Sequence, residues 1–139
     1  MTGKTLPVYG DGQQIRDWLH VSDHCEAIDR VRLDGRFGEV YNIGGHNEKT
    51  NLELVETILQ AFGLTNDRIR FIADRPGHDR RYAIDATKME RELGWTPRYR
   101  FEDGIAETIA WYRSNPEWME RIVSGAYKTY VASMYSMKG

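Results

Sequence analysis

Short extended segments and amphipathic helices follow one another in mixed order along this chain. Extended runs are predicted at 6–9, 15–21, 40–43, 69–73 and 82–84, with helical patterns between and after them. A complete doubly wound domain needs about six parallel strands, with a helix after nearly every strand. These runs are too few for that, so we expect a mixed α/β (α+β) fold. A single domain over 1–139 is predicted, with a loosely ordered tail over 125–139.

The first half of the chain contains a turn signal and a helix start signal. Asp11-Gly12 lies between two extended runs, which indicates a hairpin joining Leu6–Tyr9 to Ile15–Val21. Ser22 is a good N-cap residue, and the helix after it should end at Asp34-Gly35. We therefore expect a β-hairpin followed by one helix.

The second half carries clear helix boundaries. Thr50 and Glu53 form the capping-box pattern, and Gly63 is placed to end the helix that follows. Three more helices are predicted: one from Asp85 or Thr87 that Gly94 ends, one from about Glu102, and one after Asn115-Pro116. The tail has an apolar stripe at Tyr127, Val131 and Met134.

Composition excludes several classes of partner and site. The formal net charge is −2, so no global positive field attracts nucleic acid or an anionic membrane. The single cysteine, Cys25, rules out an internal disulfide and a cysteine-built zinc site, and it indicates a reducing, cytoplasmic setting. No apolar run approaches the ~20 residues of a membrane helix. Any anion site must therefore be a local cluster of charges.

Three motifs that could carry chemistry are weak. The run Gly10–Ile15 has only two glycines of the dinucleotide fingerprint, so a tight turn explains it better. His20 and His24 are four residues apart but are expected on different elements, which disfavours a metal site. Cys25 is expected to be a core thiol, and no Tyr-x-x-x-Lys occurs. We therefore expect no catalytic, cofactor-binding or metal-binding residue in this chain.

The basic loop 75–81 is the sharpest local feature. Three arginines and one histidine surround a Pro-Gly turn, and guanidinium groups suit bidentate phosphate binding. The alternative is a solvated loop whose arginines pair with Asp74 and Asp79. Arg16 presents the same choice, since it could bind an anion or pair with Asp17. Composition alone leaves both alternatives open.

Four blocks together resemble a known family. They read L-P-V-Y-G-D-G-Q-Q-I-R-D-W-L-H-V-S-D-H at 6–24, Y-N-I-G-G-H-N-E-K at 41–49, D-R-P-G-H-D-R-R-Y-A-I-D at 74–85 and E-L-G-W at 92–95. This pattern resembles the C-terminal, substrate-binding part of dTDP-glucose 4,6-dehydratases, which are extended short-chain dehydrogenases/reductases. The resemblance covers nearly the whole chain, and the third block is the most particular to this branch.

The resemblance implies a binding site for a dTDP-sugar. The residues expected there are Leu6 and Pro7 beside the base, Tyr9 packed on it, Arg16 on the diphosphate, Asn51 on the nucleotide, and Arg75 with His78 over the diphosphate and ribose. Aromatic stacking and charged forks suit a base and a diphosphate respectively.

The resemblance also implies what this chain lacks. Enzymes of the family are more than twice as long, and their N-terminal half carries the NAD-binding Rossmann part, the acidic pair and the Tyr-x-x-x-Lys pair. We therefore expect a nucleotide-binding portion that is inactive alone and holds no NAD. Its expected partners are a dTDP-sugar, the missing N-terminal half and further copies in a homo-oligomer. The alternatives are part of an enzyme acting on a UDP or CDP sugar, or a stand-alone nucleotide-binding or interaction module.

Overall fold

The computed structural model describes residues 4–125, and the predicted tail stripe lies outside that range. Two compact units are present, Met1–Ala106 and Glu107–Gly139, and a single domain over 1–139 stays a prediction. The elements are, in chain order, β1 (Leu6–Tyr9), β2 (Ile15–Asp17), α1 (Val21–Asp34), β3 (Glu48–Thr50), α2 (Asn51–Ala61), a 3₁₀ turn (Asn66–Arg68), β4 (Ile69–Ile72), β5 (Arg81–Tyr82), α3 (Thr87–Leu93), α4 (Phe101–Ser114) and α5 (Pro116–Val123). This mixed order confirms the predicted fold class.

The strands form two small sheets. β1 pairs with β4 in parallel, whereas β2 lies between antiparallel β3 and parallel β5. The predicted hairpin is therefore wrong, because its two strands belong to different sheets. β1 is apolar and pairs with another apolar strand around the buried Val8, whereas β2 carries Arg16 and Asp17 and pairs with two polar strands.

Helix α1 begins one residue before the predicted cap. His20 is the N-cap, and its Nδ1 accepts a hydrogen bond from the Ser22 N–H at 3.4 Å. Ser22 is thus inside the helix, because an imidazole nitrogen replaces a hydroxyl as the capping acceptor. The predicted end at Asp34-Gly35 is confirmed.

The core of the first unit lies where α1 packs against α3. Ala27, Met89 and Trp95 are buried there, and Asp23 lies on the same face of α1 as Ala27. Cys25 lies two residues from both and is therefore on nearly the opposite side of the helix. It is exposed, so the predicted core thiol is wrong.

Helix α2 has both of its predicted ends. The Glu53 N–H donates to Thr50 Oγ1 at 3.1 Å, and the Thr50 N–H donates to Glu53 Oε2 at 2.7 Å. Gly63 has φ +66°, and the N–H groups of Gly63 and Leu64 return to carbonyls of the last turn. The capping box and the glycine stop are confirmed.

The predicted strand at 40–43 does not form within the described residues. The backbone there pairs with no strand, and the ladder starts later, at β3. Asp17 organises the connection between them, since its carboxylate accepts from Gly45 N–H at 2.7 Å and Asn47 N–H at 2.9 Å. The run predicted at 82–84 is also shorter and lies at Arg81–Tyr82.

The remaining helices begin and end near the predicted residues. Gly94 closes α3 with φ +63°, and Pro116 opens α5 after Asn115. In the second unit, Trp111 and Trp118 pack edge to face with ring centroids 5.2 Å apart. None of the helices described over 4–125 has the length and apolar character to cross a membrane.

Candidate nucleotide-binding site

Two connections run side by side because of the parallel strand pairs. The turn 10–14 leads from β1 to β2, and the loop 73–80 leads from β4 to β5. Since β1 is parallel to β4 and β2 is parallel to β5, the two connections start together and end together. Backbone bonds fix both ends, from Gly10 N–H to Ile72 O and from Ile15 N–H to Arg80 O, each 2.9 Å. The basic loop therefore lies along the glycine turn.

Tyr9 and His78 meet between these connections. Their rings are edge to face, with centroids 6.1 Å apart. The His78 side chain is only 5% exposed, whereas Tyr9 is 47% exposed. His78 Nδ1 lies 2.6 Å from Asp74 Oδ1. A half-exposed aromatic ring at a strand end, backed by a fixed imidazole, is a suitable platform for a planar base.

Arg16 is held against the end of the basic loop. Its Nη2 donates to the Asp79 carbonyl at 3.1 Å, its Nη1 donates to the Ile15 carbonyl at 2.6 Å, and its Cζ lies 4.9 Å from the Tyr82 ring centroid. The alternative pairing with Asp17 is wrong, because the Asp17 carboxylate instead accepts from two backbone N–H groups. The partners of the guanidinium are thus two backbone carbonyls and a phenol ring, all uncharged, so its positive charge is available to bind an anion.

The loop arginines are paired differently from the alternative considered above. Arg80 contacts Asp11 at 3.0 Å and Arg81 contacts Glu48 at 2.8 Å, so neither pairs with Asp74 or Asp79. These contacts agree with the lowered pKa of Glu48, which the hydrogen bond from Arg81 causes. Two of the three loop charges are therefore neutralised locally.

Arg75 is the remaining loop arginine. It is exposed, and within residues 4–125 its guanidinium forms no ion pair. The side chain of Asp79 raises the pKa of Tyr82, while the charges of Arg16 and Arg75 oppose that shift. The charges of both arginines that the resemblance assigns to the substrate therefore act on one phenol, and neither arginine has a carboxylate partner within residues 4–125.

The other predicted site residues are less closely grouped. The Asn51 N–H donates to the Gln14 carbonyl at 3.0 Å, which places the start of α2 against the glycine turn. Leu6 and Pro7 pair with Ile69 and Arg70 at the far end of β1, about 7–10 Å along the strand from Tyr9. The structure thus brings Tyr9, Arg16, Arg75 and His78 together, with Asn51 adjacent and Leu6 and Pro7 further away.

Two polar residues were missed as site residues, the buried Gln14 and the exposed Asp74. Gln14 is 2% exposed and donates from Nε2 to Asp74 Oδ2 at 3.0 Å. Asp74 was considered only as a partner for an arginine. No local pattern distinguishes a buried glutamine from an exposed one, so the contact with a residue sixty positions away could not be found from the sequence.

The described residues do not fit a dinucleotide or a metal ion. Gly10 and Gly12 form a turn that leads into a strand, whereas a pyrophosphate needs the N-terminus of a helix there. The Asp74 carboxylate lies against Gly10, where a Cβ would be 2.9 Å from its Oδ2. A fixed negative charge at that position repels a pyrophosphate. Over 4–125, no group of three or more His, Cys, Asp or Glu side chains is placed to hold a metal.

Comparison with known proteins identifies the family. The model described as GDP-mannose 4,6 dehydratase matches residues 1–108. The dTDP-glucose 4,6-dehydratase of Escherichia coli is 50% identical over 142 residues, covering 97% of this chain and 39% of that protein.

Solved structures agree with that assignment. The dTDP-glucose 4,6-dehydratase of Bacillus anthracis in complex with NAD has 59% identity and a TM-score of 0.79, over 84% of this chain and 37% of that one. DesIV of Streptomyces venezuelae, a dTDP-glucose 4,6-dehydratase with NAD and TYD bound, has 50% identity and a TM-score of 0.80, over 84% and 36%. The chain spans less than two-fifths of these proteins. It therefore belongs to the GDP-mannose 4,6-dehydratase family and is similar to part of its dTDP-glucose 4,6-dehydratases.

Proposed function

We propose that this chain is the dTDP-sugar-binding portion of a dTDP-glucose 4,6-dehydratase. The complete enzyme would convert dTDP-glucose to dTDP-4-keto-6-deoxyglucose with NAD, and the chemistry would need residues outside this chain. The observation that carries the proposal is the pair Arg16 and Arg75, whose guanidinium groups have no carboxylate partner within residues 4–125. Arg16 lies over the Tyr82 ring, and the charges of both arginines act on that phenol.

The other residues of the site support the same substrate class. Tyr9 offers a half-exposed ring for a base, and His78 lies against that ring. The two arginines then suit a diphosphate, because a charged fork can bond two phosphate oxygens at once. Asn51, Leu6 and Pro7 are proposed contacts to the nucleotide on the resemblance alone.

Thermal-shift titration tests the substrate class. Ligand that binds only the native state raises the melting temperature with its concentration. We expect dTDP to raise it more than UDP or CDP, and we expect NAD to leave it unchanged. A larger shift with UDP or CDP would assign the chain to another nucleotide-sugar enzyme, and no shift with any of the three would refute the proposal.

The second candidate function is that the chain is part of an enzyme that acts on a UDP or CDP sugar, and it remains for a physical reason. Ring stacking and guanidinium contacts recognise a base and a diphosphate, but they do not distinguish thymine from uracil or cytosine. The panel of three nucleotides decides between the candidates. A stand-alone module is distinguished by the coding sequence upstream of Met1, where an in-frame glycine-rich loop and a Tyr-x-x-x-Lys motif would show a longer parent.

We also infer the setting of the parent enzyme. A homo-oligomer in the cytoplasm is proposed, and the exposed free thiol of Cys25 supports a reducing compartment. Size-exclusion chromatography with light scattering on the longer protein tests the oligomeric state.

A further inference from the structure

Asp74 lies between Gln14 and His78 and uses both of its carboxylate oxygens. Oδ2 accepts from Gln14 Nε2 at 3.0 Å, whereas Oδ1 lies 2.6 Å from His78 Nδ1 and also accepts from the Arg75 N–H at 2.9 Å. The hydrogen bond with His78 lowers the pKa of Asp74 more than its other contacts do. The carboxylate is therefore ionised at neutral pH, and it can only accept hydrogen bonds.

This arrangement decides which nitrogen of His78 carries the proton. Since Asp74 has no proton to donate, the short contact requires an N–H on Nδ1 of His78. In the neutral ring, Nε2 then keeps a lone pair and acts as an acceptor. The ring has little freedom to turn away, because it is nearly buried and packs against the edge of Tyr9.

Gln14 holds the carboxylate from the other side. Its Nε2 must face Asp74, because an amide oxygen would repel the carboxylate. Its Oε1 is then buried and has no hydrogen-bond partner among the described residues. Buried polar atoms without a partner are uncommon in folded proteins, so an apolar side chain would fill this position better. We infer that Gln14 occupies this position because its amide orients the Asp74 carboxylate.

We propose that Asp74 is a positioning residue of the nucleotide site, which fixes His78 as an acceptor for the 3′-hydroxyl of the deoxyribose of dTDP. The inference rests on the proposed function, in which His78 lies over the diphosphate and ribose. The inference assigns His78 to the ribose and not to the diphosphate, because an acceptor nitrogen repels phosphate oxygens and attracts a hydroxyl donor. Arg75, one residue along from Asp74, is left to bind the diphosphate.

Two measurements on the 139-residue chain test this. Nitrogen-15 spectra that correlate ring nitrogens with ring protons, recorded without ligand at about pH 8, above the ordinary pKa of histidine, report which ring nitrogen of His78 carries a proton. Its signals are assigned by their loss in His78→Asn. His46 is an internal reference, because its Nε2 contacts Glu90 and should carry the proton there. We expect His78 to be protonated on Nδ1, and Asp74→Ala to abolish that preference.

Calorimetric titration then compares dTDP with its 3′-deoxy analogue. Asp74→Ala should weaken dTDP binding by about five- to tenfold, as for one lost neutral hydrogen bond. It should hardly change binding of the analogue, which lacks the hydroxyl. The matched control is Asp29→Ala, which removes an aspartate paired with Arg32 on α1 and should leave both affinities and the His78 tautomer unchanged.

Each outcome is decisive. An unfolded chain or an Nε2–H tautomer of His78 in the wild type overturns the proposal, as does equal weakening of both nucleotides by Asp74→Ala. Failure of the wild type to bind either nucleotide refutes the proposed function and the hydroxyl contact with it. The tautomer, measured without ligand, then still decides whether Asp74 orients the ring.

Discussion

Replacement of Arg16 by alanine is the most direct test of the diphosphate contact. The guanidinium is held by two backbone carbonyls and by the ring of Tyr82, so it is pre-oriented without being neutralised. A hydrogen bond to a charged group contributes about 1.5–3 kcal/mol. Arg16→Ala should therefore raise the Kd for dTDP about ten- to a hundredfold, and Arg16→Lys should recover only part, because lysine lacks the planar fork.

The same substitution has a structural effect that must be measured separately. Loss of the contact with the Tyr82 ring is worth about 0.5–1 kcal/mol at an exposed site, so the melting temperature without ligand should fall slightly. Calorimetric titration at a temperature where each variant is folded gives the Kd free of that effect. Arg32→Ala is the charge-matched control, since Arg32 pairs with Asp29 on α1.

One result would refute the reasoning about Arg16. If Arg16→Ala lowers the melting temperature but leaves the Kd for dTDP within about twofold of the wild type, the residue serves only to join β2 to the basic loop. Equal weakening by Arg16→Ala and Arg32→Ala would mean that overall charge, and no particular contact, drives binding.

Four further outcomes are expected. The chain incubated with dTDP-glucose and NAD should give no 4-keto-6-deoxy sugar, because its sequence has neither Gly-x-Gly-x-x-Gly nor Tyr-x-x-x-Lys; product above a protein-free control contradicts this. Light scattering should show the average molecular mass rising with protein concentration, because the exposed apolar side chains of Phe37 (107%) and Val40 (76%) favour association of chains; a constant monomer mass at all concentrations contradicts this. Thr50→Ala should lower the free energy of unfolding by about 1 kcal/mol, and the exposed Thr96→Ala should not. The contact with Arg81 lowers the pKa of Glu48, so this ion pair stabilises the folded chain above the unfolded-state pKa of Glu48, and the stabilisation is lost as the pH falls through the lower folded-state pKa. Below about pH 4.5 the melting temperature of the wild type should lose this contribution, whereas that of Glu48→Gln should not.

Local signals predicted the helix ends well. A capping box, a glycine stop and an Asn-Pro start each depend on a few neighbouring residues, and all three occur in the structure, at Thr50, Gly63 and Asn115-Pro116. His20 is the exception, because a histidine acceptor competed successfully with the serine two residues later. The tertiary packing of His20 on Tyr99, with ring centroids 4.0 Å apart, holds it in the capping position.

The site depended on pairing that the sequence does not encode locally. Tyr9 and His78 meet because β1 pairs with β4, a strand about sixty residues later. The resemblance indicated both residues but not the strand pairing that brings them together, and the hairpin expected from Asp11-Gly12 would have placed Arg16 on the strand paired with that of Tyr9. In the structure Arg16 instead reaches the loop that contains His78, so the contact between the two halves of the site is made through Asp79.

The segment 40–43 shows why a correct local pattern can give a wrong element. Its residues favour a strand, but a strand exists only when a neighbour accepts and donates backbone hydrogen bonds. Within the described residues the Val40 carbonyl accepts instead from Lys88 Nζ at 2.8 Å, and that lysine also binds Glu39. The Lys88 side chain thus takes the place of one backbone hydrogen bond of a sheet, and Val40 stays exposed. A segment of this kind can still gain backbone pairing from another chain, which is the physical basis of the association expected in the light-scattering experiment.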